Sequence, residues 1–150
     1  MKSLYYIVLL MSPAWMRPPV QVKTTWMRPP AHLRTAWGGH TAGPLDTNAA
    51  RAVLDSPLLV TDDQGGVYTV TRFQFSYRQI ARYEDSTGKV ITSTRFFSKE
   101  FYDSPVVDTL WRDNISAEVQ PGEAYIIDHV VVKNAKGVKA LAPGLELDVQ

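Results

Sequence analysis

The sequence predicts a mainly β protein: an antiparallel β-sandwich, Ig-like, with one short helix, preceded by a Pro-rich irregular N-terminal segment. Three observations carry this. From about residue 56 onward the chain is rich in Val, Ile, Phe, Tyr and Thr, residues that suit a pleated, half-buried surface. About six short apolar or alternating runs there are separated by turn signals. Only one stretch has helical spacing, too little for a parallel sheet, whose crossovers each need a long connection.

Size and composition fit one such domain. The 150 residues are 45% hydrophobic and 21% charged, ordinary for a folded domain. Lacking cysteine, the chain has no disulfides, thiolate-ligated metals or cysteine nucleophiles. No apolar run approaches the roughly 20 residues of a bilayer-spanning helix. Net charge is +1, divided as +4 over residues 1–55 and −3 over 56–150. Neither half has the dense basic stripe of a nucleic-acid binder, so no nucleic-acid partner is expected.

The front differs in composition. Seven of the ten prolines precede residue 60, and all methionines lie in the first 27 residues. Lys2 precedes the apolar run Leu4 to Met11, and Ser12 and Ala14 sit at −3 and −1 of a cleavage point before Trp15. That is the plan of a secretory signal peptide over residues 1–14. Trp15-Met16-Arg17-Pro18-Pro19 recurs as Trp26-Met27-Arg28-Pro29-Pro30. Pro-Pro forbids a continuous helix and favours polyproline II, so residues 15–55 read as an irregular linker. An arm offering Trp and Arg to a partner is the alternative. Within it, Asn48–Leu54 has the makings of a short helix, capped by Thr47 or Asn48 and stopped by Pro57.

The domain proper is expected at 56–150. Leu58-Leu59-Val60 is an apolar strand ended by the turn Asp62–Gly66. Val67 to Tyr77 alternates, with Val67, Thr69, Thr71, Phe73, Phe75 and Tyr77 on the core face and a bulge near Arg78-Gln79. Asp85–Gly88 is a hairpin turn, and Lys89–Phe97 returns. Ser104-Pro105 predicts a helix start, with Val107, Leu110, Trp111 and Ile115 on its inner face and Asp108 towards water. Pro121-Gly122 ends that segment. Ala124–Lys133 is apolar on both faces, as a covered central strand would be. Asn134–Gly137 is a second hairpin turn, and Leu145, Leu147 and Val149 alternate in a last half-buried strand.

Chemical motifs are few. Of three histidines, His129 neighbours Asp128 within a strand, so alternation puts their side chains on opposite faces. No Gly-x-Ser-x-Gly elbow, phosphate-binding loop, His-Glu-x-x-His or EF-hand pattern occurs. No metal site and no cofactor is expected. Arg72, Arg78 and Arg82 with Tyr77 and Tyr83 read either as a basic aromatic surface or as an exposed strand face held by cross-strand pairs.

Taken in order, the helix with Leu110-Trp111, the turn Pro121-Gly122-Glu123, the strand Tyr125–Val132, the turn Asn134–Gly137 and the final Leu145-Glu146-Leu147 resemble the C-terminal domain of the gliding-motility protein GldM, called PorM in non-gliding relatives. The resemblance rests on turns and strands and has no catalytic signature. It implies a non-enzymatic periplasmic β-sandwich from Bacteroidetes, acting as an adaptor in the type IX secretion machinery. The sequence departs from the family in its Asn-Ala-Lys-Gly turn, where Pro-Asp-Gly is common. It also shows no counterpart of the family's membrane helix and preceding periplasmic domains, so a stand-alone relative of the last domain is expected.

The leading expectation is therefore an exported, periplasmic protein-binding domain with protein partners, among them type IX secretion components or a second copy in a homo-oligomer. Arg78, Tyr83, Trp111 and Tyr125 are the expected contact residues, as aromatic and Arg anchors; Trp111 is equally placed for the core. A small ligand-binding or hydrolytic domain is the second reading, and a stand-alone structural or immunity-type domain the third.

Overall fold

The computed structural model describes residues 32–150. The leader at 1–14 and the Trp-Met-Arg-Pro-Pro repeat lie outside the described residues. Eight strands and two helices follow in the order β1 (Arg34–Trp37), β2 (Gly43–Leu45), α1 (Thr47–Leu54), β3 (Leu58–Thr61), β4 (Val67–Glu84), β5 (Val90–Tyr102), α2 (Thr109–Glu118), β6 (Ala124–Lys133), β7 (Lys139–Ala142) and β8 (Leu145–Val149). The mainly β expectation holds. The strands form one sheet in the order β1-β3-β4-β6-β8-β2, with β5 beside β4 and β7 beside β6. It curls into a half-barrel without a clear division into two packed layers. It is also not wholly antiparallel, because β2 runs parallel to β8.

The curl has a local cause in β4, which is 18 residues long and pairs along both edges. Val70 faces Val132 but Arg72 faces Val131, so Thr71 is an extra residue. Between the pairs Arg72–Val131 and Gln74–Asp128 the surplus falls on β6, where His129 takes a left-handed φ of 50°. Each bulge bends and twists the ribbon. Each also shifts the alternation by one residue. On β4 the buried set passes from Val70 to Phe73, Phe75 and Tyr77, leaving Val67 and Thr69 exposed. On β6 it passes from Tyr125 and Ile127 to Val130 and Val132. The doubly apolar look of β6 is therefore a change of phase at His129. The bulge expected at Arg78-Gln79 is absent, and β4 and β5 pair without a break from Arg72 to Glu84.

The expected boundary at residue 56 gives way to a domain that takes in residues 34–54. Trp37 is wholly buried, donates from its indole nitrogen to the Ser56 carbonyl at 2.9 Å, and meets the Phe75 ring edge-on at 5.3 Å. A tight turn follows it, with Gly38 at φ +55° against Val53. Helix α1 buries Ala50, Val53 and Leu54, and its cap is Asp46, whose carboxylate accepts from the Ala49 amide at 2.8 Å.

α1 is thus the short helix expected at Asn48–Leu54, capped one residue before Thr47, whereas α2 starts later than Ser104. The Ser104 hydroxyl instead accepts from the Val106 amide at 3.1 Å, and the Pro105 carbonyl accepts from Leu58 at 2.8 Å, docking that stretch beside β3. Asp108 is the cap, accepting from the Trp111 amide at 2.9 Å. Val107, Trp111 and Ile115 point inward, while Leu110 is exposed.

Candidate protein-binding surface

One side of α2, from Trp111 to Glu118, lies over the core face of β4 and β5, and a groove of about 280 Å³ runs between them. Its walls are Tyr77, Gln79, Phe97, Trp111, Asn114, Ile115 and Glu118. β4 supplies Tyr77 and Gln79 on one face by simple alternation. Phe97 stands opposite Tyr77 in the ladder and is 45% exposed, because β5 runs out past the cover of the helix. Trp111 meets the rings of Phe75 at 5.8 Å and Phe101 at 6.2 Å, both edge-on, which fixes the apolar wall. Lys99 pairs with Asp108 and ties the start of α2 to β5. That contact, more than the Trp111 amide bond, holds the Asp108 carboxyl below the usual range.

Beneath the groove is a fully buried carboxylate, Glu123. It accepts from the Tyr77 hydroxyl, the Ile80 amide at 3.1 Å, the Gln120 amide at 3.0 Å and the Gln120 side-chain amide at 3.4 Å. Four donors replace the water it has lost, so the charge is sheltered without a cation. Burial, then the bond to Glu123, pushes the Tyr77 phenol far above its ordinary range. At the end of the groove Gln79 donates to Glu118 at 2.9 Å, leaving that carboxylate's charge facing out.

The four expected contact residues do not form one surface. Trp111 is half-buried and lines the groove. Tyr83 is half exposed near the tip of the β4–β5 hairpin, six residues and about 20 Å along the strand from Tyr77. Arg78 lies on the opposite face of β4, paired with Glu146 at 3.2 Å and Asp148 at 3.1 Å on β8. Tyr125, expected as an exposed anchor, is wholly buried among Trp37, Phe75 and Tyr77. Burial, then the charge of Glu123, raises its phenol well above the ordinary value. Sequence reasoning missed Phe97, Gln79, Glu118 and Glu123. The adjacent Phe96 and Phe97 were the available signal, since neighbours on a strand cannot both enter one core.

The outer sheet face is a set of cross-strand pairs, as the blander reading of its arginines supposed. Arg72 pairs with Glu100, which also accepts from the Tyr102 hydroxyl. The Tyr102 bond and then Arg72 hold the Glu100 carboxyl below its usual range. One expectation here is overturned. Asp128 and His129 do meet, at 2.7 Å between Oδ1 and Nδ1, because the left-handed turn at His129 breaks the alternation that would have separated them. Among the described residues no group of three His, Asp or Glu side chains is placed to hold a metal ion, and no helix is long and apolar enough to cross a membrane. In comparisons with known proteins, no family model matches this chain, and no curated protein matches it significantly.

Proposed function

We propose that this is a protein-binding domain that acts without catalysis, taking an apolar side chain of its partner into the groove between α2 and β5. The observation that carries the reading is the half-exposed Phe97 facing Trp111 across that groove. Large aromatics that are partly desolvated before binding are the usual anchors of an interface. The outward-facing carboxylate of Glu118 favours a basic residue beside the partner's apolar one. The leader-like start supports export to the periplasm. The strand-and-turn likeness to the GldM terminal domain supports a partner among the type IX secretion components.

The test places a photo-cross-linking residue at position 97 of the full chain in its native cells, with exposed Val67 as the control position. One defined protein is expected to be captured from position 97 and not from 67. No adduct from 97, or the same adducts from both, refutes groove binding. A captured protein from outside the secretion machinery removes that role and leaves the groove.

A further inference from the structure

β5 has a second feature that the groove does not use. It is a 13-residue strand, and among the described residues it pairs with β4 alone. Its outer edge therefore offers a row of backbone N–H and C=O groups to solvent. Edges of this length are normally shortened, bulged, interrupted by proline or covered. Here there is no proline, and the pairing with β4 is unbroken. Large apolar side chains stand along it: Val90 is 63% exposed, Phe96 62% and Tyr102 59%.

We propose that a second copy of this chain pairs along this edge, antiparallel, about a two-fold axis at Phe96. The sequence of the strand selects that register. An axis normal to the sheet must pass through a residue position, since only then do facing residues share a face. With the axis at Phe96, Val90 faces Tyr102, Ile91 faces Phe101, Thr94 faces Ser98, Arg95 faces Phe97 and Phe96 faces itself, so all 13 residues of β5 are paired. Lys99 then faces Ser93 and Glu100 faces Thr92, so no like charges are opposed. Moving the axis one residue either way opposes like charges: Arg95 meets itself, or meets Lys99. Like charges directly opposite are destabilising, while an Arg over an aromatic ring is favourable. Axes at Thr94 or Ser98 also avoid like charges but pair only nine residues of β5, so the register at Phe96 is the longest that accommodates Arg95 and Lys99. The seam is about 44 Å long at about 3.4 Å per residue, and at about 10 Å deep it buries roughly 900 Å² over two copies. That is near the low end for specific interfaces, so pairing depends on concentration.

Sedimentation equilibrium of the purified full chain, from about 5 to about 500 μM, reads the association directly. The average mass is expected to rise from 16.8 kDa towards twice that value. A monomer across the whole range overturns the proposal and leaves the edge to an extended segment of another protein. The register is read by single cysteines, since the chain has none of its own. Phe96→Cys is expected to cross-link to itself under mild oxidation, because facing residues in a ladder have Cα separations within disulfide reach. Thr94→Cys and Ser98→Cys are expected to cross-link to each other when mixed, and not each to itself. Self-cross-linking of Ser98→Cys as fast as that of Phe96→Cys overturns it. These measurements need no other protein; a second copy captured from position 97 would report this seam, where Phe97 faces Arg95, and would not count towards groove binding.

Discussion

Glu123→Gln is a demanding test of how the core is organised under the groove. The substitution preserves shape and exchanges one acceptor oxygen for an NH₂ donor. One carboxylate oxygen accepts from Tyr77 and the Gln120 amide, the other from the Ile80 amide and the Gln120 side chain. Either orientation of the new amide therefore sets its NH₂ against a backbone N–H that cannot turn away. The Tyr77 hydroxyl can rotate and accept instead. One buried orphan donor costs about 1–3 kcal/mol, and the surviving bonds lose their charge assistance, so a loss of about 2–4 kcal/mol is expected. Tyr77→Phe removes one of four donors and is expected to cost about 1.5–3 kcal/mol, less in the Glu123→Gln background, with a coupling of about 1–2 kcal/mol. Urea unfolding followed by circular dichroism and tryptophan fluorescence measures all four corners, and an unchanged m-value keeps them comparable. A Glu123→Gln protein within about 0.5 kcal/mol of the parent would refute the view of Glu123 as the hub of this region.

Three further outcomes are expected. His129→Gly should be neutral or stabilise by up to about 1 kcal/mol, while His129→Val should destabilise by about 1–2 kcal/mol, because the bulge needs φ +50°; equal effects in urea melts would contradict a left-handed residue there. Gly144→Ala should lower stability by about 1–3 kcal/mol, since a Cβ there would press on the Ile127 carbonyl oxygen and lie 3.4 Å from the Asp128 Cα; an unchanged melting temperature would speak against that approach. The raised phenols of Tyr77 and Tyr125 tie stability to pH on the alkaline side. Below the unfolded value of about 10 neither state releases these protons, and above it only the unfolded chain does, so stability should fall as pH rises further. Ultraviolet titration should show these two phenols ionising only with unfolding; their titration in the folded protein alongside exposed tyrosines would disprove the shift.

Much of the secondary structure was legible from local chemistry. The turns at Asp62–Gly66, Asp85–Gly88 and Asn134–Gly137 lie where Asp, Asn and Gly can bond their own backbone and take left-handed angles, and the structure closes each as expected. The alternation of Leu145, Leu147 and Val149 likewise set the burial of the last strand. The site was less legible. Trp111 and Ile115 could be placed on one helix face and Phe97 on the returning strand of the Asp85–Gly88 hairpin, but the groove exists because α2 packs across that hairpin, a contact between distant segments that no local window contains.

The strands, the turns and the β class follow from neighbours within a few residues, and so they can be read along the chain. Which residues enter the core where a ladder carries an extra one cannot. The bulges at Thr71 and His129 belong to the pairing of β4 with β6, strands some 50 residues apart, and each reverses the inside and outside of the residues beyond it. It takes the folded sheet to bury Val70 with Phe73, bring Asp128 to His129, and draw Trp37 from the proline-rich front into the centre of the domain. In each case the free energy comes from surfaces that are distant in the chain, and the local pattern carries no record of it.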